Sequence, residues 1–473
     1  MIPGPAGVRG GEGGGAGPAR IGAVHRPGSG FSVRGGHPLR GRIRVPGDKS
    51  ISHRALLLSA LAEGTSTFSG CSEGEDVART AAAIEAMGAD VRLAAGPGGL
   101  AGEVLGGRSR LGEPLSAIDC GNSGTSMRLL AGLVGSLDGL FVLQGDSSLS
   151  SRPMGRVLGP LQAMGAKVDG REGATRAPLV IRGGGLRGRE VRLEVASAQV
   201  KGALLLAGLA AEGTTVVHEP LATRAHTEEM LTMAGVGVDV RREGSGRAVA
   251  VRRSSVRPFS MEIPGDPSQA AFWIVAACCT PGSDVTVEDV YLGPERAAFL
   301  DVLRRMGAEI DVVVRREMAG VPVGDVTARH GALGPTEVGG AEVPALVDEI
   351  PVLAVAAAFA SGTTVFSGAA EMRVKESDRI ATTVSLLEAF GVAAEPMPDG
   401  LVVHGPVGGS GGREAVVESH GDHRIAMAGA VMALASGSPL TSISDWASVS
   451  TSYPGFAADL AALGGDGEAP DDA

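Results

Sequence analysis

DKSISHRALLLSALAEGTSTF, from Asp48 to Phe68, decides the fold: a polar cluster, a short helix of small and aliphatic residues, then a Gly-Thr step into a β-branched run. The same phrase returns from Asn122 (NSGTSMRLLAGLVG), Ser197 (SAQVKGALLLAGLAAEGTTVV), Asp266 (DPSQAAFWIVAACCTPGSDVTV), Asp348 (DEIPVLAVAAAFASGTTVF) and Asp422 (DHRIAMAGAVMALASGSPL). The spacing, roughly 75 residues, is too long for a solenoid repeat and suits a small α/β unit. A second phrase follows each copy, an amphipathic helix closing on a small or apolar residue plus Gly before a strand: Met87-Gly88, Met164-Gly165, Ala234-Gly235, Met306-Gly307, Phe390-Gly391 and Leu463-Gly464. One supersecondary unit is used six times, which gives an α/β (α+β) fold with buried helices and outer sheets.

At 473 residues the chain is long for one core, and two domains of three units each are the simplest division. The first ordered strand is expected over Leu39–Val45, ended by the turn Pro46-Gly47, and the turn Pro46-Gly47-Asp48 reappears as Pro264-Gly265-Asp266. Both turns are read as passages of the chain between domains. The expected division is 37–47 plus 259–464 for one domain (units four to six) and 48–258 for the other (units one to three). Residues 1–36 read as a disordered Gly, Pro and Arg-rich extension without the apolar stretch of a secretory signal, and 465–473 as a disordered acidic tail.

Lys plus Arg number 42 against 53 Asp plus Glu, a net charge of -11, which argues against nucleic acid or an anionic membrane as partner. Aromatics at 3% leave little material for base stacking. No apolar run approaches the roughly 20 residues that cross a bilayer. Cys71, Cys120, Cys278 and Cys279 have no metal-binding spacing, and an adjacent pair in an aliphatic helix does not suit a disulfide, so reduced thiols in the cytoplasm are expected.

Chemistry must lie in what precedes the aliphatic helices. A helix N-terminus exposes unpaired N–H groups and the positive end of its dipole, so it attracts anions and disfavours cations. Yet the starts carry Lys49 and Arg54, Arg128, Arg152, Lys201, Lys375 and Arg379, and Arg424. Independent capping does not select cations there, whereas a small anionic ligand removes the conflict. Each motif alone also has a plainer reading. Lys49, Ser50 and Arg54 can hold a phosphate or form a capped helix with solvated charges; Gly124 can admit a ligand close to the backbone or serve a turn. Arg152 before Pro153 reads as a planar cation at a helix start, with proline at the first helical position. Ser197, Gln199 and Lys201 offer a hydroxyl, an amide and an ammonium, although Ser and Gln also cap helices. Lys375 and Arg379 are spaced i,i+4 with Glu376 beside them, which reads as one helix face meeting a ligand or as a solvated charge run. Asp348 is either a cap or a base.

Taken together, DKSISHR, NSGTSMR, SSRPM, SAQVKGALLLAGL, RVKESDR and GDHRIAM resemble, in order from about Gly36 to Leu463, the signatures of the 5-enolpyruvylshikimate-3-phosphate synthase family. The resemblance implies two globular domains of three units each, with the site in the cleft between them. It implies transfer of the enolpyruvyl group of phosphoenolpyruvate to the 5-hydroxyl of shikimate 3-phosphate, releasing phosphate, by a monomer with neither metal nor organic cofactor. It assigns Lys49, Ser50, Arg54, Ser197, Ala198, Gln199, Asp348 and Lys375 to shikimate 3-phosphate, with Arg224 of the more variable segment ATRAHTEEML. It places Lys49, Gly124, Arg152, Gln199, Arg379 and Arg424 around phosphoenolpyruvate, makes Asp348 the base for the 5-hydroxyl, and makes Glu376 the group exchanging a proton with the methylene carbon, with Lys49 the third catalytic residue. Gly124 implies sensitivity to glyphosate, the family's inhibitor in the phosphoenolpyruvate pocket. One departure is Thr451-Ser452-Tyr453-Pro454, where many members carry a lysine, leaving one phosphoenolpyruvate contact unassigned. The sister family that transfers enolpyruvyl to UDP-N-acetylglucosamine has Lys-Asn in place of Lys49-Ser50 and a loop cysteine that neither Cys71 nor Cys120 resembles. A non-catalytic anion-binding relative is the remaining alternative, and it leaves both carboxylates without a purpose.

Overall fold

Six sheets of four strands repeat one pattern in the computed structural model, which describes residues 30–406 and 412–468. In the first, Ser260–Glu262 runs parallel to Thr65–Cys71, which pairs antiparallel with Gly99–Leu105, which pairs antiparallel with Asp90–Gly96. The other five repeat that order of one parallel and two antiparallel pairings. The sheets surround six inner helices: Lys49–Leu61, Gly124–Gly135, Ala198–Gly208, Pro267–Cys279, Ile350–Ala358 and His423–Ser436. Their Ala, Leu, Val and Gly positions are apolar all round and are buried almost throughout, as a helix enclosed on every side requires.

The polar residues that open the phrases cap these helices. Asp48, Ser123, Ser197, Asp266 and Asp422 each accept a backbone N–H from the first turn, an arrangement worth about 1 kcal/mol per helix. The sequence phrase is thus a cap, a buried helix and an outer strand in succession.

The apolar side chains form two cores, one from Ile51 to Ile263 with Tyr291, Met318 and Val323 packed against it, and one drawn from Phe31–Val45 and Ala270–Leu463. The chain crosses between them at the two Pro-Gly-Asp turns, which bond to each other: Asp48 N donates to Pro264 O at 2.8 Å and Asp266 N to Pro46 O at 2.9 Å. The strand expected over Leu39–Val45 spans Arg40–Ile43 and pairs with Asp284–Tyr291.

Three boundaries differ from the sequence reading. Ser260–Glu262 joins the first sheet, and Met261 and Ile263 pack in its core, so the second crossing falls after Ile263 rather than at 258/259. Phe31–Arg34, placed within the 1–36 extension, is a strand, and Asp466–Glu468, placed within the 465–473 tail, is another. Phe31–Arg34 lies between Thr441–Ile443 and Asp466–Glu468, and completes the sixth sheet. Its alternation explains the order: Phe31 and Val33 are buried, and Phe31 stacks on Trp446 with ring centroids 3.9 Å apart. Of those two expected disordered segments, residues 1–29 and 469–473 lie outside the described residues. Among the described residues no helix is long and apolar enough to cross a membrane, and all four cysteines are buried and unpaired.

At the first crossing a side chain has no room, because a Cβ on Gly47 would overlap the carbonyl oxygen of Gly70. Gly47→Ala is therefore expected to destabilise the fold by roughly 3 kcal/mol through overpacking. The midpoint of urea unfolding measures this, and an unchanged midpoint would contradict the geometry.

Candidate active site

Between the two cores lies a cavity of about 470 Å³. Lys49, Gly124, Arg152, Ser197, Ala198, Gln199 and Arg224 line it from one side, and Asp348, Lys375 and Glu376 from the other. Three ion pairs cross it: Arg224 Nη2 to Asp348 Oδ2 at 2.7 Å, Arg152 Nη1 to Glu376 Oε1 at 3.4 Å, and Arg156 Nη1 to both carboxylate oxygens of Glu371 at 3.1 Å. The walls are therefore drawn together by opposite charges.

Asp348 precedes the helix Ile350–Ala358 and does not cap it; the capping position is Glu349, which makes no side-chain cap bond. Its carboxylate instead meets Arg224, Arg379 Nη1 at 3.2 Å, Lys375 Nζ at 3.5 Å and Arg424 Nε at 3.9 Å, while Arg424 Nη1 donates to its carbonyl at 2.9 Å. Burial works to raise its pKa, but Lys375, Arg424, Arg224 and Arg379 together hold it well below the usual carboxylate range. Glu376 behaves alike. Burial opposes its charge, yet Arg379, bonded to it at 2.5 Å, and Arg152 hold its pKa well down. Arg379 is itself buried and also binds Asp422 Oδ2 at 2.8 Å, so the cap of the last inner helix orients the guanidinium that serves both carboxylates.

On the opposite wall Lys49 Nζ lies 2.9 Å from Asp76 Oδ2. Arg128 Nη1 donates to Gln199 Oε1 at 2.8 Å, and Gln199 Nε2 donates to Thr125 Oγ1 at 2.8 Å. Arg152 Nη2 donates to Asn122 Oδ1 at 2.5 Å. Burial first, and then the neighbouring Arg152, push the Arg128 guanidinium down to about 10. A bound anion relieves that repulsion between two guanidinium groups. A Cβ on Gly124 would stand 2.7 Å from Arg128 Nη1 and 3.3 Å from Arg152 Nη1, so glycine leaves both free to converge. Ser50 and Arg54 do not line the cavity; Arg54 is buried beneath it, bonding Ser50 O at 2.9 Å and Thr227 Oγ1 at 2.7 Å. Arg379 and Arg424 reach it through Asp348.

Three sequence readings are corrected here. Lys375 and Arg379 do not share a helix face: Ala370–Val374 is a 3₁₀ turn, and Asp378 caps a helix that starts only at Arg379. They meet at Asp348 all the same. Arg152 follows the short helix Ser147–Ser151, with Pro153 outside the next helix, so this cation sits at the favourable dipole end. Lys201 turns away from the cavity, fully buried between Glu219 at 2.9 Å and Glu228 at 2.7 Å. Asp76 and Asn122 were given no ligand role in the sequence reading, and Arg128, counted there among the helix-start cations, was assigned to neither substrate. Only Arg128 had a local signal, four residues after Gly124 on the same helix. Thr451 is not on the cavity wall; its neighbour Ser450 bonds Glu75 Oε1 at 3.2 Å across the cores. Among the described residues there is no cluster of three or more His, Cys, Asp or Glu able to hold a metal ion. What the geometry offers is a cleft bridged by ion pairs, with convergent cations and two ionised carboxylates, suited to an anionic substrate pair.

Known proteins bear on that chemistry. The sequence model of EPSP synthase (3-phosphoshikimate 1-carboxyvinyltransferase) matches residues 33–460. A protein of Thermus thermophilus named 3-phosphoshikimate 1-carboxyvinyltransferase is 50% identical over 428 residues, covering 90% of this chain and 97% of the relative. One of that name from Parasynechococcus marenigrum is 47% identical over 431 residues, covering 90% and 96%. The solved EPSP synthase of Acinetobacter baumannii superposes with a TM-score of 0.81 at 38% identity over 94% of this chain and 100% of its own. The enolpyruvyl transferase NikO of Streptomyces tendae, at 21% identity and a TM-score of 0.74 over 94% of this chain and 99% of its own, shares the fold. Match, coverage and cleft agree, and the chain belongs to the EPSP synthase family.

Proposed function

We propose that the cleft transfers the enolpyruvyl group of phosphoenolpyruvate to the 5-hydroxyl of shikimate 3-phosphate, releasing phosphate. The observation that carries this reading is the pair of ionised carboxylates, Asp348 and Glu376, held among cations that come from both cores. Asp348 takes the 5-hydroxyl proton as the oxygen attacks C2 of the enol, and Glu376 delivers a proton to C3, which becomes a methyl group. The tetrahedral adduct then loses phosphate from C2, the leaving phosphate taking the hydroxyl proton from Asp348, as Glu376 takes a proton back from C3, restoring the methylene. No metal or organic cofactor takes part in these steps.

Glu376 arrives ionised, so it must be loaded with a proton before it can act as an acid. Phosphoenolpyruvate supplies the means. Its carboxylate and phosphate take Arg152 and Arg379 as partners, and Glu376, losing those cations beside a new anion, rises in pKa. Lys49, Gly124, Gln199 and Arg424 complete that subsite. Ser50, Arg54, Ser197, Ala198, Arg224 and Lys375 belong to the shikimate 3-phosphate side, with Lys49 between the two; Arg54 acts there by bracing the Ser50 backbone. The two three-unit domains, meeting at the Pro-Gly-Asp turns, close over the pair and exclude water. The protein is read as a cytoplasmic monomer with inert thiols, since burial pushes Cys71, Cys120 and Cys278 up to about 12.

Phosphate release from phosphoenolpyruvate, measured with shikimate 3-phosphate, with UDP-N-acetylglucosamine and with no acceptor, tests the reaction. Release is expected only with shikimate 3-phosphate, and Asp348→Ala or Glu376→Gln is expected to lower kcat by at least about 100-fold. Release with the nucleotide sugar would transfer the assignment to the sister family, and release with neither acceptor would leave an anion-binding protein. Gly124→Ala, by displacing Arg128 and Arg152, is expected to raise KM for phosphoenolpyruvate about tenfold, or about 1.4 kcal/mol. Glyphosate in the same subsite is expected to inhibit the unsubstituted enzyme more strongly than Gly124→Ala. Equal KM values in steady-state kinetics would remove the subsite from Gly124.

A further inference from the structure

One fully buried cation lies outside the cavity and takes no part in the steps above. Arg296, 2% exposed, sits between the strand Asp284–Tyr291 and the helix Ala298–Arg305. Its Nη2 donates to Asp48 Oδ2 at 2.8 Å and to Asp266 Oδ1 at 2.5 Å, its Nη1 donates to Ser268 Oγ at 2.8 Å, and the same Nη1 lies 3.7 Å from Glu349 Oε1. Ser268 Oγ also donates to Glu349 Oε1. Three carboxylates from distant parts of the chain thus meet on one guanidinium.

Each of the three adjoins the site or the crossing. Asp48 immediately precedes Lys49; Asp266, in the second crossing turn, accepts the backbone N–H of Lys49 at 3.0 Å; Glu349 immediately follows Asp348. Lys49 and Asp348 stand on opposite walls of the cavity. Arg296 is therefore a single side chain tied to the backbone neighbourhoods of both, and it does so at the turns where the chain passes between the cores. An ionic cluster at that depth is a weak source of stability, because desolvation offsets most of its Coulomb attraction and apolar side chains would serve as well. What a planar fork does supply is direction, fixing three acceptors in one plane.

We propose that Arg296 is a positioning residue that sets the placement of Lys49 relative to Asp348 across the closed cleft. The inference rests on the reaction assigned above. Reacting groups misplaced by about 1 Å lose rate steeply, whereas of the cations Arg152, Lys375 and Arg424, assigned to the substrate anions, the first two pair with other carboxylates, and only Arg424, 3.9 Å from Glu349 Oε1, shares a partner with Arg296.

Arg296→Lys keeps the charge but cannot span Asp48, Asp266 and Glu349 at once. The folded variant is expected to lose roughly tenfold or more in kcat, with KM for both substrates changed less than about threefold. Unchanged kcat, or a loss accounted for by the unfolded fraction in a thermal melt or by a rise in KM, would overturn the proposal. Should Arg296→Lys fail to fold, Glu349→Gln, which preserves volume, decides by kcat and by KM for shikimate 3-phosphate, the KM for phosphoenolpyruvate being set aside because Glu349 Oε1 also lies 3.9 Å from Arg424 Nη1. The unsubstituted enzyme, assayed alongside, separates the two claims: if it is inactive with shikimate 3-phosphate, the assigned reaction fails. The positioning claim is then read from a crystal structure of the variant, where a displaced Lys49 or Asp348 supports it and unmoved side chains refute it.

Discussion

The attraction between Asp348 and cations from both cores is the constraint on which the closed cleft depends. Arg224 reaches it from one side, and Lys375, Arg379 and Arg424 from the other. Glu376 repeats the pattern with Arg152 and Arg379. Along the cavity wall Lys49, Arg128, Arg152, Arg156, Arg224 and Lys375 face Asp76, Glu194, Asp348, Glu371 and Glu376, so the charges nearly cancel before any ligand enters. On the proposed function an anion would enter by displacing a carboxylate rather than by filling an unbalanced positive hole, and the paired carboxylates lower the desolvation cost of assembling so many cations.

That exchange links fold to chemistry. The caps Asp48 and Ser197 start the inner helices whose first turns carry Lys49 and Gln199 into the cleft, and the cap Asp422 bonds Arg379 beneath it. In the proposed reaction, carboxylates released from their cations would gain basicity as the substrates bind, so that proton transfer would become possible only in the assembled complex. The same substitution of partners holds water out of a site whose intermediate would otherwise hydrolyse.

Much of this was legible in the chain because it is local. A cap, an aliphatic helix, a glycine and a β-branched strand are neighbours in sequence, and six copies of that phrase correspond to six sheets with helices inside them. What was not legible depends on partners far away. Phe31–Arg34 looks like a fragment of a Gly-rich extension until Thr441–Ile443 supplies its ladder from the other end of the chain. The direction in which a cation turns from a helix start is likewise a tertiary matter: Lys201 goes to Glu219 and Glu228, while Lys375 and Arg379 converge on Asp348 without sharing a helix. Arg296 follows Gly293-Pro294-Glu295 in an ordinary turn, and nothing nearby marks it as the residue that gathers three carboxylates.

The most direct test of the exchange is the ionisation of Glu376 itself, followed by carbon-13 NMR of labelled side-chain carboxylates and assigned by difference with Glu376→Gln. In the free enzyme its midpoint is expected below the ordinary glutamate value of about 4.3, and with shikimate 3-phosphate and phosphoenolpyruvate turning over at equilibrium it is expected above that value. A midpoint unmoved by the substrates would mean that they do not take its cations, and would contradict the account.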